Sequence, residues 1–237
     1  MFVPIYDDNR LKYIKFQYVT LLLIALNVAC FVFQESGIDT SVIASFALVP
    51  QELLSVHVFG GHAAISNDAL PVPEVFTLFT YMFFHGDPLH IAGNMLFLWV
   101  FGDNVEDACG HVRFLVLYLA CGVLGGVTHV AMQSGSTVPL VGASAAVAGV
   151  ISSYLVLHPR VRVWVLAFKF IPLRISAVWL LGAWILIQVA MVLMPQSGPV
   201  AWWAHIGGSI AGAVLVVAMR RPGVILFDQR VQSPSGL

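Results

Sequence analysis

Apolar residues in this chain come in long unbroken runs, with the polar residues gathered between them. Six runs stand out, at Tyr18–Phe33, Leu89–Phe101, Phe114–Met132, Ser144–Leu157, Ile175–Met194 and Ala201–Met219. Each is long, or nearly long enough, for the ~20 residues that carry a helix across a bilayer. A helix apolar on all faces needs lipid or other protein around it. The pattern therefore predicts an all-α polytopic membrane protein of six transmembrane helices.

Composition sharpens this. The chain is 59% hydrophobic and 10% charged, against roughly one-quarter charged residues in an ordinary soluble domain. Six spans in 237 residues leave little for a soluble domain. The first run follows a charged stretch and lacks a small-residue cleavage site, so it reads as a retained helix. Charge then orients the spans. The eleven basic residues fall in four places: Arg10, Lys12 and Lys15; Arg113; Arg160, Arg162, Lys169 and Arg174; and Arg220, Arg221 and Arg230. With six spans these are the N-terminus, the second and fourth loops and the C-terminus, all on one side. By the positive-inside rule both termini are expected in the cytoplasm. The expected organisation is a cytoplasmic segment 1–17, a membrane domain 18–219 and a cytoplasmic tail 220–237 ending in a loose "SPSGL".

The first outer loop, about Gln34 to Glu74, is longer than the ~12–15 residues of an unstructured connection. Its middle, "SVIASFALVPQELLSVHVF", is apolar enough to lie in the membrane interface, so the loop is expected to be partly helical. With its flanks it carries Glu35, Asp39, Glu52, Asp68, Glu74 and Asp87 and no basic residue, as the topology rule would have it. Cys30, Cys109 and Cys121 form no CxxC pair and read as packing residues, not metal ligands or a disulfide framework. A net charge of −1 points to no nucleic-acid partner.

Polar side chains at membrane depth are functional candidates, because nothing in lipid satisfies them. His90 and Asn94 are four apart at the start of the second run, on one helical face. His205 lies about one turn into the sixth, in "AWWAHIGGSIAGAVL", and Ser144 sits inside "VPLVGASAAVAGV". The fourth run is short: from Ser144 to the "HPR" stop is ~21 Å of helix against a hydrocarbon core of ~30 Å. Ser144 is then sunk ~9 Å below the outer face, at the floor of a dent holding water or protein. His205, His90 and Asn94 fall at similar depth. Gly142, Ala143, Ala145, Ala146, Ala148 and Gly149 on one side, and Gly207, Gly208 and Gly212 on the other, let the fourth and sixth helices touch. Ser144 and His205 are thereby expected within hydrogen-bond reach, the arrangement that activates a serine nucleophile. No Asp or Glu occurs between Asp107 and Asp228, so a Ser–His dyad is expected rather than a triad. Oxyanion donors would be the Ser144 backbone N–H, the Asn94 amide and the His90 ring. His57, His62, His111, His129 and His158 read as loop or interface histidines.

These residues resemble the rhomboid intramembrane serine proteases over about Phe76 to Met219. "GASA" (Gly142–Ala145) is similar to the family's GxSx nucleophile motif, "HIAGN" (His90–Asn94) to its HxxxN element and "AHIGG" (Ala204–Gly208) to its histidine helix. Gly102 and Glu106 in "GDNVEDACG" and the loop histidine His85 also match. No single motif is specific; their order and spacing in six spans make the resemblance. It implies a six-helix rhomboid-like bundle with Ser144 as nucleophile, His205 as base and then acid, and Asn94 and His90 at the oxyanion. Gly142, His85, Glu106 and Gly208 would be structural residues near the site. It further implies single-pass membrane-protein substrates cut near the outer end of their spans, no metal or cofactor, and a site open to the outer side. A substrate helix weakened by glycine would unwind into the dent more readily. The absence of a targeting extension suggests a bacterial inner membrane.

The chain departs from the family pattern in three places. Ala148 replaces an aromatic that stacks on the histidine in many members, so Trp202, Trp203 or Tyr118 is expected to hold the His205 ring. Ala145 replaces a common glycine, and the first loop has no Trp-Arg pair. Other readings fare worse. An inactive relative usually lacks the serine or the histidine, and both are here. A transporter or channel is disfavoured because no charge lies at mid-membrane and the spans show no duplication. There is no HExxH motif and no aspartate pair in adjacent spans.

Overall fold

The structure, a computed structural model, describes residues 2–55, 69–167, 170–194 and 200–228. His57, His62, Asp68, Lys169, Arg230 and the closing "SPSGL" lie outside the described residues. The chain is mostly helical. Each apolar run falls largely on one helix: α1 (Tyr18–Glu35), α5 (Pro88–Cys109), α6 (His111–Met132), α7 (Ser144–Leu157), α8 (Ala177–Leu193) and α9 (Trp202–Met219). Between α1 and α5 come three short helices, α2 (Thr40–Ala44), α3 (Pro50–Ser55) and α4 (Glu74–Thr80), the last continued by a 3-10 turn at Tyr81–Phe83. Among the described residues α1, α6 and α9 are long and apolar enough to cross a membrane; α7, α8 and the α4 segment are apolar but shorter.

The sequence reading anticipates helices alone, but a three-stranded antiparallel sheet stands beside them. Strand β1 (Phe2–Asp7) pairs with β2 (Arg162–Ala167), which pairs in turn with β3 (Ile171–Ser176). Segment 1–17 is thus part of the fold, and Ile175 belongs to the sheet rather than to the helix that follows.

Helix α5 runs eight residues past Phe101, because its acidic end is fully employed. Gln17 gives α1 no side-chain cap. The buried Glu106 does so from a distance, accepting from Val19 N at 3.0 Å, Thr20 N at 2.8 Å and Thr20 Oγ1 at 2.7 Å. These N–H groups are among those a helix start leaves without partners. Asp107 accepts from the backbone N–H of Lys12, Tyr13 and Ile14, at 2.7–2.8 Å. Asp7 of β1 accepts from Tyr154 of α7 and from Asn104 of α5. The chain past α9 returns to the same end, with Phe227 N on Val156 O at 2.8 Å and Asp228 N on Leu157 O at 2.9 Å.

Helix α7 is the axis of the core: Ala145 to Tyr154 and Leu157 are buried. It touches α9 backbone to backbone. A Cβ placed on Gly208 would lie 2.0 Å from Ala145 O, and one on Gly212 2.0 Å from Gly149 O. Only residues without side chains allow that approach. Ser153 Oγ then donates to Gly212 O at 2.9 Å, which ties the two helices further. The first loop packs inward as well as lying along the surface: Leu48 is fully buried and exchanges backbone hydrogen bonds with Leu140 at 3.0 and 2.8 Å.

Candidate active site

The approach to α7 is held from several directions. Leu140 is bridged to Leu48, and Gly142 N donates to Tyr81 O at 2.9 Å. Gly142 has φ +125°, a backbone conformation for which glycine is suited. A Cβ here would also lie 2.7 Å from Cε1 and Nε2 of His90. The glycine is therefore required twice, by the turn and by the histidine packed on it. The chain then enters α7 with Ser144 as its first helical residue. In that first turn the N–H of Ser144 has no preceding helical carbonyl to bond.

One turn into α9, His205 is 8% exposed and reaches Ser144: His205 Nε2 lies 2.8 Å from Ser144 Oγ. The close approach at Gly208, three residues on and against Ala145, brings the two helices to that spacing. The other ring nitrogen, Nδ1, lies 2.8 Å from Oε1 of Gln188 on α8. Gln188 Nε2 donates to Trp184 O at 3.3 Å. That carbonyl can only accept, so the amide oxygen is the atom facing His205. Trp184 stacks on the His205 ring at 6.2 Å and 29°, and Trp202 meets it edge-on at 5.9 Å and 87°. Among the described residues no carboxylate bonds to either nitrogen of His205. A serine hydroxyl facing a neutral imidazole at this distance can pass its proton to it.

Helix α5 supplies the remaining groups. Asp87 caps its start, accepting from Leu89 N and His90 N at 2.8 and 2.9 Å. His90 packs on Gly142, and its ring meets that of His85 at 5.2 Å and 74°. Ala143 N donates to His85 Nε2 at 3.3 Å, directly before the serine. Gln34 grips the His85 backbone, with its Nε2 on His85 O at 2.6 Å. Asn94, one turn after His90, is 7% exposed, and its Nδ2 has no partner among the described residues. A buried donor without an acceptor is costly, and an oxyanion would supply one.

Ser144, His205, His90, His85, Gly142 and Gly208 are thus brought together, and Asn94 follows His90 by one turn of α5. Glu106 is not. It lies twelve residues along α5 from Asn94, ~18 Å of helix, and its carboxylate is spent on the start of α1 and on His111, 2.5 Å away. The sequence reading missed Gln188, Trp184 and Gln34. Gln188 carries a signal that could have found it, as the one strongly polar side chain in the apolar run of α8. Of the residues expected to hold the ring, Trp202 does so; the stacking partner is Trp184, from a different helix.

Residues 72–222 match the family model of the Rhomboid domain. The chain is similar to "RHOMBOID-like protein 12, mitochondrial" of Arabidopsis thaliana, 29% identical over 66% of this chain and 50% of that protein. It is also similar to "Rhomboid protease GluP" of Bacillus subtilis, 29% identical over 72% of this chain and 31% of that protein. The human "Presenilin-associated rhomboid-like protein, mitochondrial" is 30% identical over 55% of this chain and 34% of its own length. The chain spans half or less of the length of these curated relatives.

Proposed function

The chain belongs to the rhomboid family, and on that premise we propose that it is an intramembrane serine endopeptidase with Ser144 as nucleophile and His205 as general base. The observation that carries the reading is the 2.8 Å between Ser144 Oγ and His205 Nε2, in a site at the end of an apolar helix. As Ser144 Oγ attacks the scissile carbonyl carbon, its proton passes to Nε2. The carbonyl oxygen becomes an oxyanion, met by the Ser144 N–H, the Asn94 amide and the His90 ring. Collapse breaks the C–N bond, and the imidazolium returns its proton to the leaving amine. Water, deprotonated by the same nitrogen, then releases the acyl group and restores the hydroxyl.

The same reading has six spans within 18–219, cytoplasmic segments at 1–17 and 220–237, and a site opening to the outer side of a bacterial inner membrane. The one-sided distribution of Lys and Arg supports this topology. The substrates are single-pass membrane proteins, cut where their helix unwinds into the dent above Ser144. At 14 residues, α7 is ~21 Å long and supports that depth.

The test uses purified protein in detergent and in liposomes, with a transmembrane reporter as substrate. Cleavage by the wild type, lost in Ser144→Ala, is the expected result, with fluorophosphonate labelling of Ser144 lost in His205→Ala. Reporter cleavage by Ser144→Ala protein would overturn the reading.

A further inference from the structure

We propose that Gln188 is a positioning residue for His205, so that the site is a Ser144–His205–Gln188 array whose third member is a neutral carboxamide. The inference rests on the serine-protease reading above and goes beyond its two-residue site. Three contacts carry it. Oε1 of Gln188 lies 2.8 Å from His205 Nδ1, on the side of the ring opposite Ser144. Gln188 is 4% exposed, so water does not compete for that bond. Its Nε2 is on Trp184 O, which leaves the oxygen as the atom presented to the ring.

The consequence is a defined tautomer. The amide oxygen accepts and cannot donate, so the bond exists only when Nδ1 carries the hydrogen. A neutral imidazole protonated on Nδ1 has its lone pair on Nε2, where the Ser144 proton must go. The opposite tautomer would point an N–H at the serine and leave it unactivated. Trp184 and Gln188 are four apart on α8, so one helical face supplies both the stack and the hydrogen bond.

The side-chain type follows from the environment. A carboxylate here would be a buried charge in an apolar helix, costly unless fully paired. The carboxamide keeps the acceptor geometry and carries no charge. It stabilises the imidazolium less than an aspartate would, and it leaves the resting ring neutral and ready to accept.

The variants are Gln188→Met, which keeps the length and removes the acceptor, and Gln188→Glu, which keeps the acceptor. Each is purified beside wild type and Ser144→Ala. The readouts are reporter kcat and KM, the rate of fluorophosphonate labelling, and the His205 tautomer from two-bond 1H–15N correlations of histidine-labelled protein. The expected result is Nδ1–H in wild type, with kcat and labelling in Gln188→Met down ~10²-fold at unchanged KM. Gln188→Glu should restore Nδ1–H but recover only part of the rate, since a buried carboxylate favours the imidazolium at rest. The tautomer of the wild type needs no variant to fold. An Nε2–H ring in wild type, or wild-type labelling by Gln188→Met, would overturn the role of Gln188 while leaving the serine reading intact. Cleavage by Ser144→Ala would overturn the serine reading instead.

Discussion

Replacing Gly208 by alanine tests whether helix contact sets the serine–histidine distance. The added Cβ would lie 2.0 Å from Ala145 O and 2.8 Å from Ala145 C, both backbone atoms that no rotamer change can move aside. Real Cβ atoms essentially never approach closer than 3.0 Å, so α7 and α9 must part locally by at least about 1 Å. Ala145 follows Ser144 and Gly208 lies one turn after His205, so the wedge enters at the level of the site. An outward shift of that size takes Ser144 Oγ and His205 Nε2 from 2.8 Å to roughly 3.8 Å, outside hydrogen-bond range. A misplacement of ~1 Å costs on the order of 10²-fold in rate, and overpacking costs about 1–3 kcal/mol of stability. The assay is fluorophosphonate labelling of Ser144 in protein shown to be folded by its thermal transition. Gly182→Ala on α8 is the control, since nothing lies within 4 Å of its Cβ position. Wild-type labelling and stability in Gly208→Ala would refute the idea that this contact sets the geometry.

Three further outcomes follow from the same structure. Gly142→Ala should lose about 1–3 kcal/mol to its positive φ and a further amount to the clash with the His90 ring; adding His90→Ala, which clears the space, should relieve only the clash in thermal melts. Glu106→Ala should lower the melting temperature by uncapping α1, at ~1–3 kcal/mol for the orphaned donors, yet leave labelling of the folded protein unchanged; an unaltered melt would refute the capping role. Burial, and then the neighbouring Asp103, push the Asp7 carboxyl from 3.8 up to about 7. Its folded value lies above its unfolded one, so the neutral carboxyl suits the fold fully below pH 4, and docking of β1 weakens as pH rises from about 4 to about 7. Amide exchange across residues 2–7 should show this slope in wild type and not in Asp7→Asn; an equal slope in both would rule Asp7 out as its source.

What could be read in advance divides by physical cause. Ser144, His205, His90 and Asn94 stand out in sequence because polar groups at membrane depth are expensive and need a reason. The glycines of "GASA" and "AHIGG" announce close helix contact for the same kind of reason. Gln188 meets that criterion too, but a search for acids passes over an amide. The stacking partner Trp184 lies on α8, whereas Trp202, Trp203 and Tyr118 are the residues expected at the ring; spacing within one helix says nothing about which neighbour fills a gap. The sheet is hidden differently. "RVWVLA" has a strand composition, but its partner "FVPIYD" lies about 160 positions earlier, and pairing at that separation leaves no local mark. The long α5 also depends on remote partners, since its acids cap segments near the N-terminus.

The two ends of the bundle use polar groups in opposite ways. At the end bearing the sheet, two acids do the fastening: Glu106 caps α1 and Asp107 gathers three backbone N–H groups. At the site end the bonds to His205 come from a hydroxyl and an amide. The division follows from what each end must do. Fastening is served by full charge, because a carboxylate bonded to several N–H groups holds more strongly than a neutral acceptor. Proton transfer at Nε2 needs a ring that is neutral at rest, and a buried carboxylate at Nδ1 would favour the imidazolium before substrate arrives. An amide at position 188 orients the ring without charging it. No Asp or Glu occurs from Ala108 to Phe227, and under the proposed function the neutral amide of Gln188 stands at the ring nitrogen where a triad places an acid.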